Sequence, residues 1–194
     1  MEYDLAIENT PATVTGGTGI LLVHPSTGET DRIDTEFLDT DTDHRLVVST
    51  RTTAREVEQK LDYYEVDRET TDILDTLSVD RGYSRRTSES VHYIPAPDDT
   101  GRLIENVQWF FENHDGKLRL SFDSITELAY YADEDNAREA GEAILSLLAE
   151  YDAVGLFHLA EEVHDADVVA GYRELFDAVI ELSEDGRVTT EFGG

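Results

Sequence analysis

The stretch Ile20-Leu-Leu-Val-His-Pro-Ser-Thr-Gly-Glu-Thr-Asp31 decides the fold. The apolar run Ile20 to Val23 predicts a strand buried on both faces. The Pro/Ser/Thr/Gly segment after it predicts a turn, and Ile33, Phe37 and Leu38 continue from Asp31 at helix spacing. A strand running through such a turn into a helix is the layout of a phosphate-binding loop. The working form, G-x-x-x-x-G-K-[ST], lets backbone N–H groups cradle phosphates, neutralises them with a Lys and holds Mg²⁺ with a hydroxyl. Here Val23 stands at the first Gly, Gly28 keeps the second, Glu29 replaces the Lys and Thr30 keeps the hydroxyl. Unit charges about 4 Å apart interact by roughly 4 kcal/mol at an effective dielectric near 20, so an anion in place of the cation swings phosphate binding by several kcal/mol. Thr27, Gly28, Glu29 and Thr30 are therefore either the remnant of a nucleotide site that no longer binds well, or simply a strand-to-helix turn with an N-cap residue.

Outward from this stretch, strands and helices alternate. Leu46 to Ser49 predicts a second strand, and Thr52 or Thr53 caps a helix carrying Ala54, Val57, Leu61 and Tyr64. Thr70 to Leu77 reads as a short helix, followed by a loop from Asp80 to Ser90 that holds Arg81, Arg85 and Arg86, the one basic cluster. Val91 to Ile94 predicts a strand, and Asp98 or Thr100 caps a helix with Leu103, Val107, Phe110 and Phe111 inward. Leu118 to Phe122 is the next strand, with Asp123-Ser124 at its carboxyl end, either capping the helix that follows or marking a site. A long helix along Ala137, Ala140, Ile144 and Leu148, a strand from Ala153 to Leu159, a helix from Asp165 to Leu175 and a terminal hairpin complete the chain. This order predicts an α/β fold, a mostly parallel sheet with helices on both faces and an antiparallel edge at the C-terminal hairpin. Residues 1–19 read as a polar lead-in, flexible or forming a short edge strand, and 20–194 as a single domain.

A chain of 194 residues supports one domain with a sizeable core. It carries 44 acidic residues against 15 basic ones, a net charge of −29, yet 39% apolar residues, so it is a folded chain rather than an acidic tail. The acid is spread throughout and only Lys60 and Lys117 are lysines. Molar salt shortens the screening length to about 3 Å and removes most of the self-repulsion, which points to a high-salt cytoplasm, as in halophilic archaea. No basic patch is available to displace counterions from DNA or RNA, so direct nucleic-acid binding is not expected. Without cysteines, disulfides and thiolate metal sites are excluded. No apolar run approaches 18 residues, so a soluble protein with no membrane contact is expected. His158, Glu161, Glu162 and His164 crowd together but lack the H-E-x-x-H spacing, and read as a solvated acidic loop with no metal. No nucleophile elbow is present, and no residue is assigned a catalytic role.

Leu118-Arg-Leu-Ser-Phe-Asp-Ser-Ile-Thr-Glu-Leu128 resembles the Walker B strand of RecA-like ATPases in their KaiC-like branch. Leu46 to Val57 is similar to the second strand and helix of that branch, and Leu175 to Leu182 to its late strand, so the resemblance runs in order from Ile20 to Phe192. It implies a RecA-like fold with ATP and Mg²⁺ bound above the sheet, Asp123 near the metal, and an adjacent pair of glutamates after the second strand. Arg51 and Thr52 stand at that pair, and Glu29 at the phosphate-binding Lys. Phosphoryl transfer then lacks its cradle, cation and base. The expected protein is a catalytically inactive regulatory or scaffolding domain without a cofactor, with Thr27, Gly28, Glu29, Thr30, Asp123 and Ser124 as a vestigial nucleotide site. Its partner is a protein or a second copy of itself, reached by Arg51 or by Arg81, Arg85 and Arg86. The alternative is an ATP-binding, Mg²⁺-dependent ATPase in which a basic group from elsewhere replaces the missing Lys.

Overall fold

The computed structural model describes residues 1–85 and 88–193. Strand β1 (Glu2–Asp4) pairs with β2 (Thr13–Thr15) in a small antiparallel sheet. The main elements follow: β3 (Gly19–His24), α1 (Asp31–Asp39), β4 (His44–Ser49), α2 (Ala54–Tyr63), β5 (Thr71–Asp75), β6 (Val91–Tyr93) and α3 (Thr100–Asn113). Then come β7 (Leu118–Asp123), α4 (Ile125–Ala132), α5 (Glu134–Glu150), β8 (Val154–Ala160), α6 (Ala166–Leu175), β9 (Ala178–Leu182) and β10 (Val188–Phe192). The eight-stranded sheet has the order β10-β9-β3-β8-β7-β4-β5-β6, parallel throughout except for β10 against β9. This is the α/β sheet with an antiparallel terminal hairpin that the alternation predicts.

The pleat sorts each central strand between two layers. Along β3, Ile20 and Leu22 join a cluster with Phe37 of α1 and Leu61 of α2. Leu21 and Val23 join the opposite cluster, with Phe110 of α3, Ile144 of α5 and Tyr172 of α6. Helices thus cover both faces, and the loops after β3, β4 and β7 are held at one end of a rigid sheet. Among the described residues no helix is long and apolar enough to cross a membrane.

Three expectations need correction. Thr70 to Leu77 is not a helix: Thr71 to Asp75 is a buried strand between β4 and β6. Ile73, Leu74 and Leu77 satisfy helix spacing equally well, and only the free edge of β4 decides for a strand. The cap of α3 is Asp99, whose carboxylate accepts from the Arg102 N–H at 3.1 Å, rather than Asp98 or Thr100. Residues 1–19 are more than a lead-in, because Tyr3 is wholly buried and its hydroxyl accepts from the Leu118 N–H at 3.1 Å and donates to the Asp152 carbonyl at 2.8 Å. The buried Arg119 guanidinium lies 5.4 Å from the Tyr3 ring and 5.0 Å from that of Phe37, and donates to the Asp4 carbonyl at 2.7 Å. Burial there pushes Arg119 down to about 10.

Candidate functional site

Beyond the carboxyl ends of β3, β4 and β7 lies a cleft of about 630 Å³ whose lining includes Gly28, Glu29, Thr30, Arg51, Lys60 and Asp123. A smaller hollow of about 240 Å³ adjoins it, bordered by His24, Thr30, Arg51, Asp123, Ser124 and Thr126. The structure therefore brings Gly28, Glu29, Thr30, Asp123 and Ser124 to one place, with Arg51 among them. Thr27 lines neither, and borders a different hollow on the outer side of the loop.

Register explains the central contact. Ser49 of β4 pairs with Asp123 of β7, so the chain leaving β4 carries Arg51 over the end of its neighbour. Arg51 donates from Nε to Asp123 Oδ1 at 3.1 Å and from Nη2 to Oδ2 at 2.8 Å. The Asp123 side chain is 9% exposed and that of Arg51 45%. Burial alone would raise the Asp123 carboxyl, but His158 and Arg51 outweigh it and hold it below the usual carboxylate range. Next along the chain, across a cis peptide bond, Ser124 accepts from the Glu127 N–H at 3.2 Å and so caps α4.

Beneath the loop lies a cluster that sequence reasoning missed. Asp34, on the first turns of α1, is fully buried. Its Oδ2 accepts from Lys60 Nζ at 2.7 Å, and its Oδ1 accepts from the Ser121 hydroxyl and from His158 Nε2 at 3.0 Å. Burial opposes ionisation here too, and Lys60 with His158 still holds the carboxyl well below its ordinary value. The legible signals were a carboxylate within the apolar stripe Ile33, Phe37 and Leu38, and an imidazole inside the wholly buried β8. Burial also pushes the neighbouring His24 imidazole below its ordinary value.

The loop itself is answered from within. The Gly28 N–H donates to the Pro25 carbonyl at 2.8 Å, closing a tight turn on which a Cβ would lie 3.0 Å from that oxygen. Glu162 accepts from the Ser26 N–H at 2.8 Å and from the Ser26 hydroxyl. Thr30 stands at the N-cap position of α1, yet its side chain makes no cap bond, so only the position matches the reading of an N-cap residue. Glu29 is exposed and accepts no hydrogen bond among the described residues. The cleft lining holds the cations Arg32, Arg51 and Lys60 and the carboxylates Glu29, Asp31, Glu56 and Asp123. A magnesium nucleotide fits this arrangement poorly. A carboxylate stands where the loop needs a cation, the acid suited to the metal is bonded on both oxygens, and a loop amide already serves Glu162.

The remaining expected residues lie apart. Arg81 is exposed, its Nη2 3.5 Å from the Tyr131 hydroxyl, and borders a separate hollow with Arg55 and Tyr83. Arg85 is also exposed, and Arg86 lies outside the described residues. His158, Glu162 and His164 go to three different places, with His164 Nδ1 2.5 Å from Glu134. Among the described residues no three His, Asp or Glu side chains form a set able to hold a metal ion.

A family model described as a family of unknown function, DUF7090, matches residues 1–192. No curated protein matches the chain. Two solved structures from Pyrococcus horikoshii OT3 are similar in fold. The crystal structure of the KaiC-like protein PH0186 is 14% identical with a TM-score of 0.61, covering 90% of this chain and 76% of that one. The structure of PH0250 is 10% identical with a TM-score of 0.64, covering 93% and 88%. The fold is thus KaiC-like and RecA-like, as the order of motifs implies.

Proposed function

The chain belongs to the DUF7090 family, and we propose that it is a catalytically inactive RecA-like domain acting through protein contacts, as a regulator or scaffold, in a salt-rich cytoplasm. The observation that carries this reading is the Arg51–Asp123 bridge. A guanidinium stays charged at any physiological pH, so a metal ion reaching Asp123 must displace a partner that already forms two charge-assisted bonds. The incoming phosphates would meet Glu29 as well. Calorimetric titration of Mg-ATP in molar KCl tests this, with no heat of binding expected up to millimolar nucleotide. Micromolar binding that Asp123→Ala abolishes would overturn it.

One observation favours the second reading, an ATP-binding ATPase with Mg²⁺. Lys60 borders the same cleft from α2, its side chain 14% exposed and its Nζ bonded to Asp34, and on this reading it is the basic group that replaces the loop lysine. On that reading the titration shows binding that Lys60→Met removes. For the protein contacts, the exposed Arg81 and Arg85 remain the proposed points of reach, and exclusion of nucleic acid follows from the net charge of −29.

A further inference from the structure

On the outer side of the loop a second hollow, of about 530 Å³, opens between α1, the N-terminal segment and the β9–β10 turn. That volume lies within the range of pockets that enclose ligands. Its floor is apolar: Ile7, Ile33, Leu182 and Val188 line it, each less than a tenth exposed. Its rim is acidic. Glu8, Glu29 and Glu184 border it and accept no hydrogen bond among the described residues. Asp185 is spent on the turn, accepting from the Ser183 hydroxyl and from the Arg187 N–H at 3.2 Å. The one basic group in the lining, Arg32, donates to Glu36 at 2.8 Å and also feels the charge of Glu8.

An apolar floor under carboxylates that accept no hydrogen bond suits a cation on an aliphatic stem, because the stem covers the floor while the head meets the rim. An anion is repelled, and a neutral apolar group gains nothing from the carboxylates at the rim. We propose that this hollow receives a lysine or arginine side chain of a partner protein. The inference rests on the proposed function only for the partner being a protein, and the nucleotide titration is independent of it. A second copy of this chain is disfavoured as the occupant, since each copy carries a net charge of −29.

The test is a methyl NMR titration of the whole chain with N-acetyl-arginine methylamide, beside agmatine and guanidinium chloride. The expected result is saturable shifts of the Ile7, Ile33, Leu182 and Val188 methyls with the first two probes and none with bare guanidinium. A Glu8→Gln/Glu184→Gln variant, changed at exposed positions and checked by an unaltered spectrum, should weaken binding about fivefold, as expected for two exposed ion pairs. Shifts that spread over the surface without saturation would overturn the proposal. Binding of agmatine but not of the peptide-like probe would replace the protein partner by a free amine. Shifts that follow protein concentration alone would assign the hollow to a second copy.

Discussion

Asp123 meets Arg51 through two hydrogen bonds, so truncating the arginine strands a carboxylate that is nearly out of water. Because Arg51 is itself about half exposed, solvent answers part of the loss, and Arg51→Ala should cost about 1 kcal/mol in a denaturant titration. Asp34→Asn should cost more, about 3 kcal/mol, because it leaves Lys60 buried opposite a neutral group. The same residue sets a pH response. Its folded pKa lies below the unfolded value, so its contribution is fully present above the ordinary carboxylate range and is lost as pH falls through and below it. The acid limb of a stability-against-pH curve should therefore flatten in Asp34→Asn. An unchanged limb would place the acid sensitivity elsewhere. At this scale the grouping of Glu29, Arg51 and Asp123 at one end of the sheet was legible from their places after successive strands. Asp34 and His158 each stand out within an apolar run, but their meeting with Lys60 was not legible, since the three come from elements that only the folded sheet brings together.

Helix α2 and strand β5 depend on each other through one carboxylate. Asp75, at the end of β5 and fully buried, accepts from the Ala54 N–H at 2.7 Å, the Leu77 N–H at 2.8 Å and the Ser78 N–H at 2.9 Å. It thus fixes where α2 starts, and α2 in turn delivers Lys60. The Ser78 hydroxyl donates to it as well, at 2.5 Å, so removing it leaves four donors without their acceptor, and Asp75→Ala should cost more than about 2 kcal/mol. The capping box of the same helix is closer to solvent. Thr53→Ala should cost about 1 kcal/mol, and thermal unfolding of the two variants ranks them. The cap was legible only as Thr52 or Thr53, both of which precede the helical stripe, and the structure assigns it to Thr53. The neighbouring strand was not, because five buried residues carry too little periodicity to separate a strand from a helical turn.

Across the whole molecule, the charge of −29 contrasts with an interior where Asp34, Asp75, Arg45 and Asp123 are each bonded. Repulsion therefore acts between surface groups, and salt should relieve it. The melting temperature should climb steadily as KCl is raised from dilute to molar, and a flat profile would contradict the salt-rich setting proposed for the chain. The architecture was legible at this scale because strands and helices alternate in nearly every segment. The order of the strands follows from the folded molecule alone. That order has its own consequence. Through Asp34, α1 grips Ser121 of β7 and His158 of β8 at once, and Arg51 couples β4 to β7. Amide protons in these middle strands should be the last to trade with deuterium, while the three-residue β6 and the outer β10 give theirs up first, so that the chain loosens from its rims inward.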